Sequence, residues 1–317
     1  MTLTTSTYAT RSKETADSVL IVGSMAFDDL ELPSAKAKDV VGGAATYAAY
    51  AASLFAPVRI VAVVGDDFPN SVLEELNERD VDVTGVERAK GKTFRWAGRY
   101  AANLASRETL DTQLNVFADF KPKLPAGYGD TPFVLLGNIQ PQLQLDVLSQ
   151  VKAPRFVAAD TMNFWISGDR KKLCEVLAKI DTLIINDEEL RELAEVHNIK
   201  RAAAVVRKLG PKRLIVKRGE YGAMLFDDSG IFFTPAYPLE EEIDPTGAGD
   251  SFAGALLGYL AAAGPVDGVC LRKGLRLASA VASFCVEGVG AAKLKAVHRA
   301  DVMMRVEALR TLTRSGA

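Results

Sequence analysis

The segment IDPTGAGDSFAGALLGYLAAAGP, residues 243–265, sets a glycine-rich turn directly against a carboxylate. Its second half is small and apolar at helical spacing and stops at Gly264 and Pro265, which predicts a helix beginning near residues 247–249. Gly247, Ala248 and Gly249 then stand at that helix's amino terminus. Glycine lets backbone N–H groups converge without a Cβ in the way, and the helix dipole adds partial positive charge, so the turn can hold a phosphoryl oxyanion. Asp250 follows in the first helical turn. An isolated Asp there could do no more than favour the dipole. Beside an anion-binding turn it can also take a proton from a substrate hydroxyl while the turn stabilises charge developing on a transferred phosphoryl group.

Such a turn needs a scaffold, and the hydrophobic pattern supplies one. VLIVGSMAFDDLEL from Val19 reads as a core strand leading into a more exposed one, GGAATYAAYAASLF from Gly42 as a helix, and VRIVAVVGDD from Val58 as a second buried strand. Strand, helix and strand in that order suggest a βαβ unit. FVLLGN, FVAADT, TLIIND and RLIVKRG recur as short apolar runs ending in Gly, Asn or Asp, and read as parallel strands. Active sites in such sheets collect at the carboxyl ends of the strands, where Asn138, Asp160, Asn186 and Lys217 stand. Residues 92–120 instead alternate large apolar and polar types, as half-exposed antiparallel strands do. The expectation is an α/β fold: one domain over residues 18–317 with a mainly parallel sheet, a β lid contributed by about residues 28–40 and 92–120, and a flexible tail over residues 1–17.

Composition narrows the chemistry. Among 317 residues, 38 Lys and Arg nearly balance 40 Asp and Glu, so no global positive field exists to hold nucleic acid or an anionic membrane surface. The two histidines, His197 and His298, lie in charged, helix-like surroundings, which argues against His-based acid/base catalysis and most zinc sites. Cys174, Cys270 and Cys285 are far apart and set among apolar residues, as buried reduced thiols are; with no apolar run near the ~20 residues of a membrane span, the expected location is the cytoplasm.

DPTGAGDSFAGA resembles the carboxyl-terminal signature of the ribokinase/PfkB carbohydrate and nucleoside kinases, D-T-x-G-A-G-D-x-F, and the resemblance extends over nearly the whole chain. GSMAFDD with VGGAATYAA resembles the family's amino-terminal substrate motifs, INDEE its N-x-x-E motif, and VKRGEYGAML its nucleotide-side strand and turn. The resemblance implies a ribokinase-like three-layer α/β/α domain and ATP-dependent phosphoryl transfer to a sugar or nucleoside hydroxyl. It makes Asp250 the base and residues 247–249 the anion hole. Asp28, Gly42 and Gly43 would contact acceptor hydroxyls. Asn186 and Glu189 would organise Mg²⁺, Glu189 through water, while Lys217, Gly219, Gly222 and, from the loop 287–291, Gly290 would line ATP. Asp244 is implied at a site for a monovalent cation such as K⁺, although Pro245 stands where Thr is common.

Bland readings remain beside these. Asp28 could be a turn residue, the glycine pair a simple turn into a helix, Asn186 and Glu189 a capping box, and Lys217 a solvated charge. Gly91, Lys92 and Thr93 imitate a Walker A ending, but Val86 occupies the position of its first glycine. Phe252 likewise removes the third glycine of a dinucleotide fingerprint. A non-catalytic sensor on the same fold is the competing function, and the intact Asp250 argues against it. Phe94, Arg95, Trp96, Arg99 and Tyr100 of the lid could suit a nucleobase or a sugar phosphate. A monomer and a homodimer through the lid both stay open.

Overall fold

The computed structural model describes Tyr8, residues 10–104 and residues 106–314. Val19–Val22 (β1) is buried at every residue and pairs in parallel on both sides, as an unbroken β-branched run between helical layers requires. The other strands are Ala26–Glu31 (β2), Lys36–Gly42 (β3), Val58–Val64 (β4), Val81–Arg88 (β5), Phe94–Tyr100 (β6), Arg107–Gln113 (β7), Phe133–Leu136 (β8), Phe156–Asp160 (β9), Thr182–Asn186 (β10), Arg213–Lys217 (β11), Ala223–Asp227 (β12) and Gly230–Thr234 (β13). Among the described residues, nine form one sheet in the order β13-β12-β11-β10-β9-β8-β1-β4-β5, parallel from β5 through β11 and antiparallel only at β12 and β13. Apolar clusters fill both of its faces, giving three layers. Strand order reverses at β1, the kind of switch point beside which α/β folds open a crevice.

The other four strands make the lid, in the order β3-β2-β6-β7. It differs from the expectation in two ways. The β2–β6 pair is parallel, because β2 follows β1 and β6 follows β5, and both leave the main sheet at the carboxyl ends of parallel strands. The lid also stops at Gln113. Residues 115–119 form a short 3-10 turn in which Phe117 packs between Phe94 and Phe120, because an aromatic triplet is better buried against the main body than spread along a wet strand.

Two helices set the geometry of the crevice. Ala44–Ala52 and Ala248–Ala263 run side by side in the same direction, with Gly254 over Ala48 and Gly258 over Ala52. A Cβ on Gly254 would stand 2.1 Å from the Ala48 carbonyl oxygen, so the small residues in both sequences exist to let the backbones touch. Gly254→Ala is accordingly expected to cost about 1–3 kcal/mol of stability through overpacking, read from the shift of a urea midpoint.

The loose start expected for residues 1–17 narrows. Tyr8 packs on Tyr259, Arg11 donates to the carbonyls of Ala261 and Ala262, and Arg155 donates to that of Gly264. These cations occupy the carboxyl end of helix Ala248–Ala263, where free carbonyls and the dipole favour positive charge. Residues 1–7 and 9 lie outside the described residues. Cys285 is buried as expected, but Cys174 and Cys270 are only half-buried, on the outer flanks of amphipathic helices.

Candidate active site

Asp250 lies in the first turn of helix Ala248–Ala263, whose N-cap Gly247 adopts φ 77°. That left-handed turn rests on the buried ring of Tyr47, from the parallel helix Ala44–Ala52. Asp244 holds it from behind: one carboxylate oxygen accepts the Thr246 amide at 2.9 Å, the other the Gly290 amide at 2.8 Å. The turn and the loop 287–291 are thereby clamped together. Cys285 adds a thiol donating to the Thr246 carbonyl.

The neighbouring strand ends bring two opposite charges to the same place. Asp160 ends β9, Asn186 ends β10 and Lys217 ends β11, with Ile184 opposite Asp160 and Asn186 opposite Lys217. Lys217 Nζ reaches across to Asp160 Oδ2 at 2.8 Å, with both side chains largely buried. A Cβ on Gly249 would stand 3.0 Å from that ammonium, so the cation borders the 247–249 turn. Burial alone would lower Lys217, but Asp160 and Glu189 outweigh it and hold the ammonium above its usual range. Burial, reinforced by the Asp160 charge, pushes Asp250 up to about 6 against the opposing pull of Lys217 and Arg107. A carboxylate poised there is ionised at neutral pH and basic enough to accept a hydroxyl proton.

Asp28 faces this turn from the lid side. Its Oδ2 lies where a Cβ on Gly42 would be, 1.9 Å away, which is why glycine stands there. Gly43 is needed beside it, at φ 92° and close to the Ser24 carbonyl. Asp28 is 4% exposed, and burial together with the charges of Asp244 and Asp250 raises it to about 8. It is therefore mostly neutral at pH 7. A raised folded pKa means that stability is lost as pH climbs from the unfolded carboxylate value through about 8. Asp28→Asn, which cannot ionise, is expected to raise the melting temperature of the ligand-free protein, more at pH 8 than at pH 5; an equal shift at both would show that Asp28 carries no buried charge.

Asn186 and Glu189 form a complete capping box on helix Asp187–Ala194, the Glu189 amide donating to Asn186 Oδ1 at 2.8 Å and the Asn186 amide to Glu189 Oε2 at 3.0 Å. Burial pushes Glu189 up to about 7, with Lys217 opposing.

The family profile described as pfkB family carbohydrate kinase matches residues 16–296. The chain belongs to this family. It is 30% identical over 269 residues to the cytidine kinase of Thermococcus kodakarensis, an alignment covering 83% of this chain and 95% of that one. Its fold is similar to that of the Burkholderia thailandensis nucleoside kinase solved with inosine (TM-score 0.75, 21% identity, covering 92% of this chain and 96% of that one). It is also similar to the Arabidopsis thaliana ribokinase solved with ribose and ATP (TM-score 0.73, 23% identity, 92% and 99%). The protein is a small-molecule kinase with the ribokinase-like α/β fold.

Within this PfkB-family kinase, the crevice gathers Asp28, Gly42, Gly43, Glu189, Lys217, Asp244, residues 247–249, Asp250 and Gly290. Gly219 and Gly222 stand apart on the turn after β11; Gly219 faces open space, and Gly222 packs against the backbone of residues 234–236. The Walker-like Thr93 is a joint beneath the lid, donating to Asp67 and accepting the Gly65 amide. Two lid arginines singled out in the sequence are engaged elsewhere: Arg95 pairs with Asp29 and Asp39, and Arg99 with Glu31 and Glu108. The lid cation that bears on the site is Arg107, directly opposite Tyr100 in the β6–β7 ladder and stacked over Trp96. Tyr100 itself shares a 2.9 Å hydrogen bond with Thr246, tying the lid to the turn before Asp250. Sequence reading missed Arg107 because β7 is exposed throughout and carries no periodic mark. Asp160 stood out only as a strand end.

Proposed function

We propose that this kinase transfers the γ-phosphoryl group of ATP to a primary hydroxyl of a sugar or nucleoside, the favoured acceptor being a ribonucleoside 5′-hydroxyl, with Asp250 as general base. The observation that carries this reading is the opposition of two carboxylates across one crevice: Asp250 at the anion-binding turn and Asp28 at the lid. Asp28, with Gly42 and Gly43 giving close backbone approach, binds acceptor hydroxyls. Asp250 accepts the proton of the attacking hydroxyl as the new O–P bond forms, the β,γ-bridging bond breaks, and ADP leaves. The backbone amides of residues 247–249 take the charge on the phosphoryl oxygens. Lid closure through Tyr100 excludes water, the competing acceptor.

Several features support a nucleoside. Trp96 lies beside Asp28 in the β2–β6 register, its indole lying against Gly98 and donating to Thr109, an aromatic surface next to the hydroxyl-binding carboxylate. Arg95 and Arg99, engaged by lid carboxylates, are poorly placed for an acceptor phosphate. The similarity to a cytidine kinase points the same way.

Glu189 gives Oε2 to its own helix cap, and its remaining oxygen suits a metal-bound water; Asn186 stands beside it. That donor set fits Mg²⁺ held chiefly by nucleotide phosphates, where it would neutralise phosphate charge. Gly290, at the turn, and Gly219, open after β11, border the space for ATP in this reading, while Gly222 is taken up by the backbone of residues 234–236. A monovalent cation at Asp244 would have to share carboxylate oxygens already bonded to two amides.

The test is ATP-to-ADP turnover with Mg²⁺ and a panel of pentoses, hexoses, their phosphates and ribonucleosides. Turnover on ribonucleosides is expected, with kcat/KM falling about tenfold per unit below a pH near 6, as protonation removes the single base. No turnover on any acceptor, despite ligand-induced stabilisation, would leave a sensor.

A further inference from the structure

We infer that Lys217 is the cation that contacts the transferred phosphoryl group, and that Asp160 holds its ammonium beside the anion-binding turn until nucleotide arrives. The inference deepens the kinase reading and rests on it. Three observations carry it. The ammonium lies at the turn itself, within 3.0 Å of where a Gly249 Cβ would be. Its partner is a fixed anchor: Asp160 Oδ1 accepts the Thr161 amide at 2.8 Å, and the Asp160 carbonyl accepts from Gln144 at 3.1 Å, so the flexible lysine stem is the part free to move. The surroundings are short of positive charge, since Asp28, Asp160, Glu189 and Asp250 converge there, while the cations bearing on Asp28, Glu189 and Asp250 are Lys217 and Arg107.

A purely structural buried pair would gain little over apolar residues of the same shape. A lysine with a resting partner makes sense when a stronger anion comes later. Several phosphoryl oxygens beside the 247–249 amides outcompete one carboxylate, and the ammonium then faces the charge that grows on the γ-phosphoryl as it transfers. Thr161, buried beside Asp160, has a hydroxyl without a hydrogen-bond partner among the described residues. Lys217 thus touches the reacting group, and Asp160 is a positioning residue.

The experiment uses Lys217→Met, Lys217→Arg, Asp160→Asn and the double variant Lys217→Met with Asp160→Asn. Lys217→Met is expected to lower kcat by about 10²–10³ with acceptor KM nearly unchanged, and Lys217→Arg to recover part of the loss. Asp160→Asn, which keeps the ammonium, should lose less. The double variant leaves no buried charge unpaired, so it folds if the pair is merely structural, and it should remain as slow as Lys217→Met. Calorimetric binding of Mg-ATP and Mg-ADP needs no acceptor: the double variant is expected to lose affinity for ATP while keeping that for ADP. A double variant that transfers at the wild-type rate, or that binds ATP as tightly as the wild type, overturns the inference. Failure of the kinase reading looks different, because wild type and Asp250→Asn would then be equally inert while the ATP-binding difference persists.

Discussion

Asp250→Asn is expected to lower kcat by about 10²–10⁴, with a much smaller change in acceptor KM. The substitution preserves shape, and the helix start is held independently by Asp244, Tyr47 and Gly247. It also leaves no orphaned cation, since Lys217 keeps Asp160. What disappears is the proposed proton acceptor. At a value near 6 the wild-type carboxylate is mostly ionised at neutral pH yet far more basic than an exposed aspartate, so the amide forfeits both properties. Steady-state kinetics on the preferred acceptor decide the matter: near-normal turnover in this variant would refute the base assignment, whereas a rise in KM alone would mean that Asp250 only binds.

Gly247→Ala should be nearly as damaging for a different reason. Its φ of 77° strains any side chain, and the new Cβ would stand 2.3 Å from ring atoms of Tyr47, which is 1% exposed and cannot retreat. The turn must shift, and a displacement near 1 Å at a reacting centre costs about 10²-fold in rate. Gly249→Ala is a milder change in the same turn. Gly249 lacks a positive φ, and the atoms nearest to its Cβ would be those at the end of the flexible Lys217 side chain. A kcat for Gly247→Ala no lower than that for Gly249→Ala would show that the turn's exact path is unimportant.

The glycine turn before Asp250 was legible because its pattern is local: glycines, a carboxylate and a helix start within one segment. The parallel strands were legible for a similar reason, since apolar runs that end in polar residues mark their own boundaries. Relations between distant residues were not. Asp160 and Lys217 were each visible as strand ends, but their ion pair depends on β9 and β11 flanking β10. Arg107 sits in a strand that reads as solvent-facing, and only the pairing of β6 with β7 brings it opposite Tyr100. Asn186 and Glu189 show that a capping box and a candidate metal-water site can be one arrangement, so their sequence could not distinguish the two. The contact of Arg11 was not legible either, because its partner carbonyl, that of Ala261, lies at the far end of helix Ala248–Ala263.

The backbone contact between helices Ala44–Ala52 and Ala248–Ala263 fixes more than stability. One helix begins at the Gly42 and Gly43 pair and the other at the 247–249 turn, so on the proposed function the close contact works as a ruler between the two reactants. The lid stands outside that ruler. Acceptor preference can therefore drift through changes in β2, β6 and β7 while the distance over which phosphate travels stays constant, and the interface least free to vary is one that touches neither substrate.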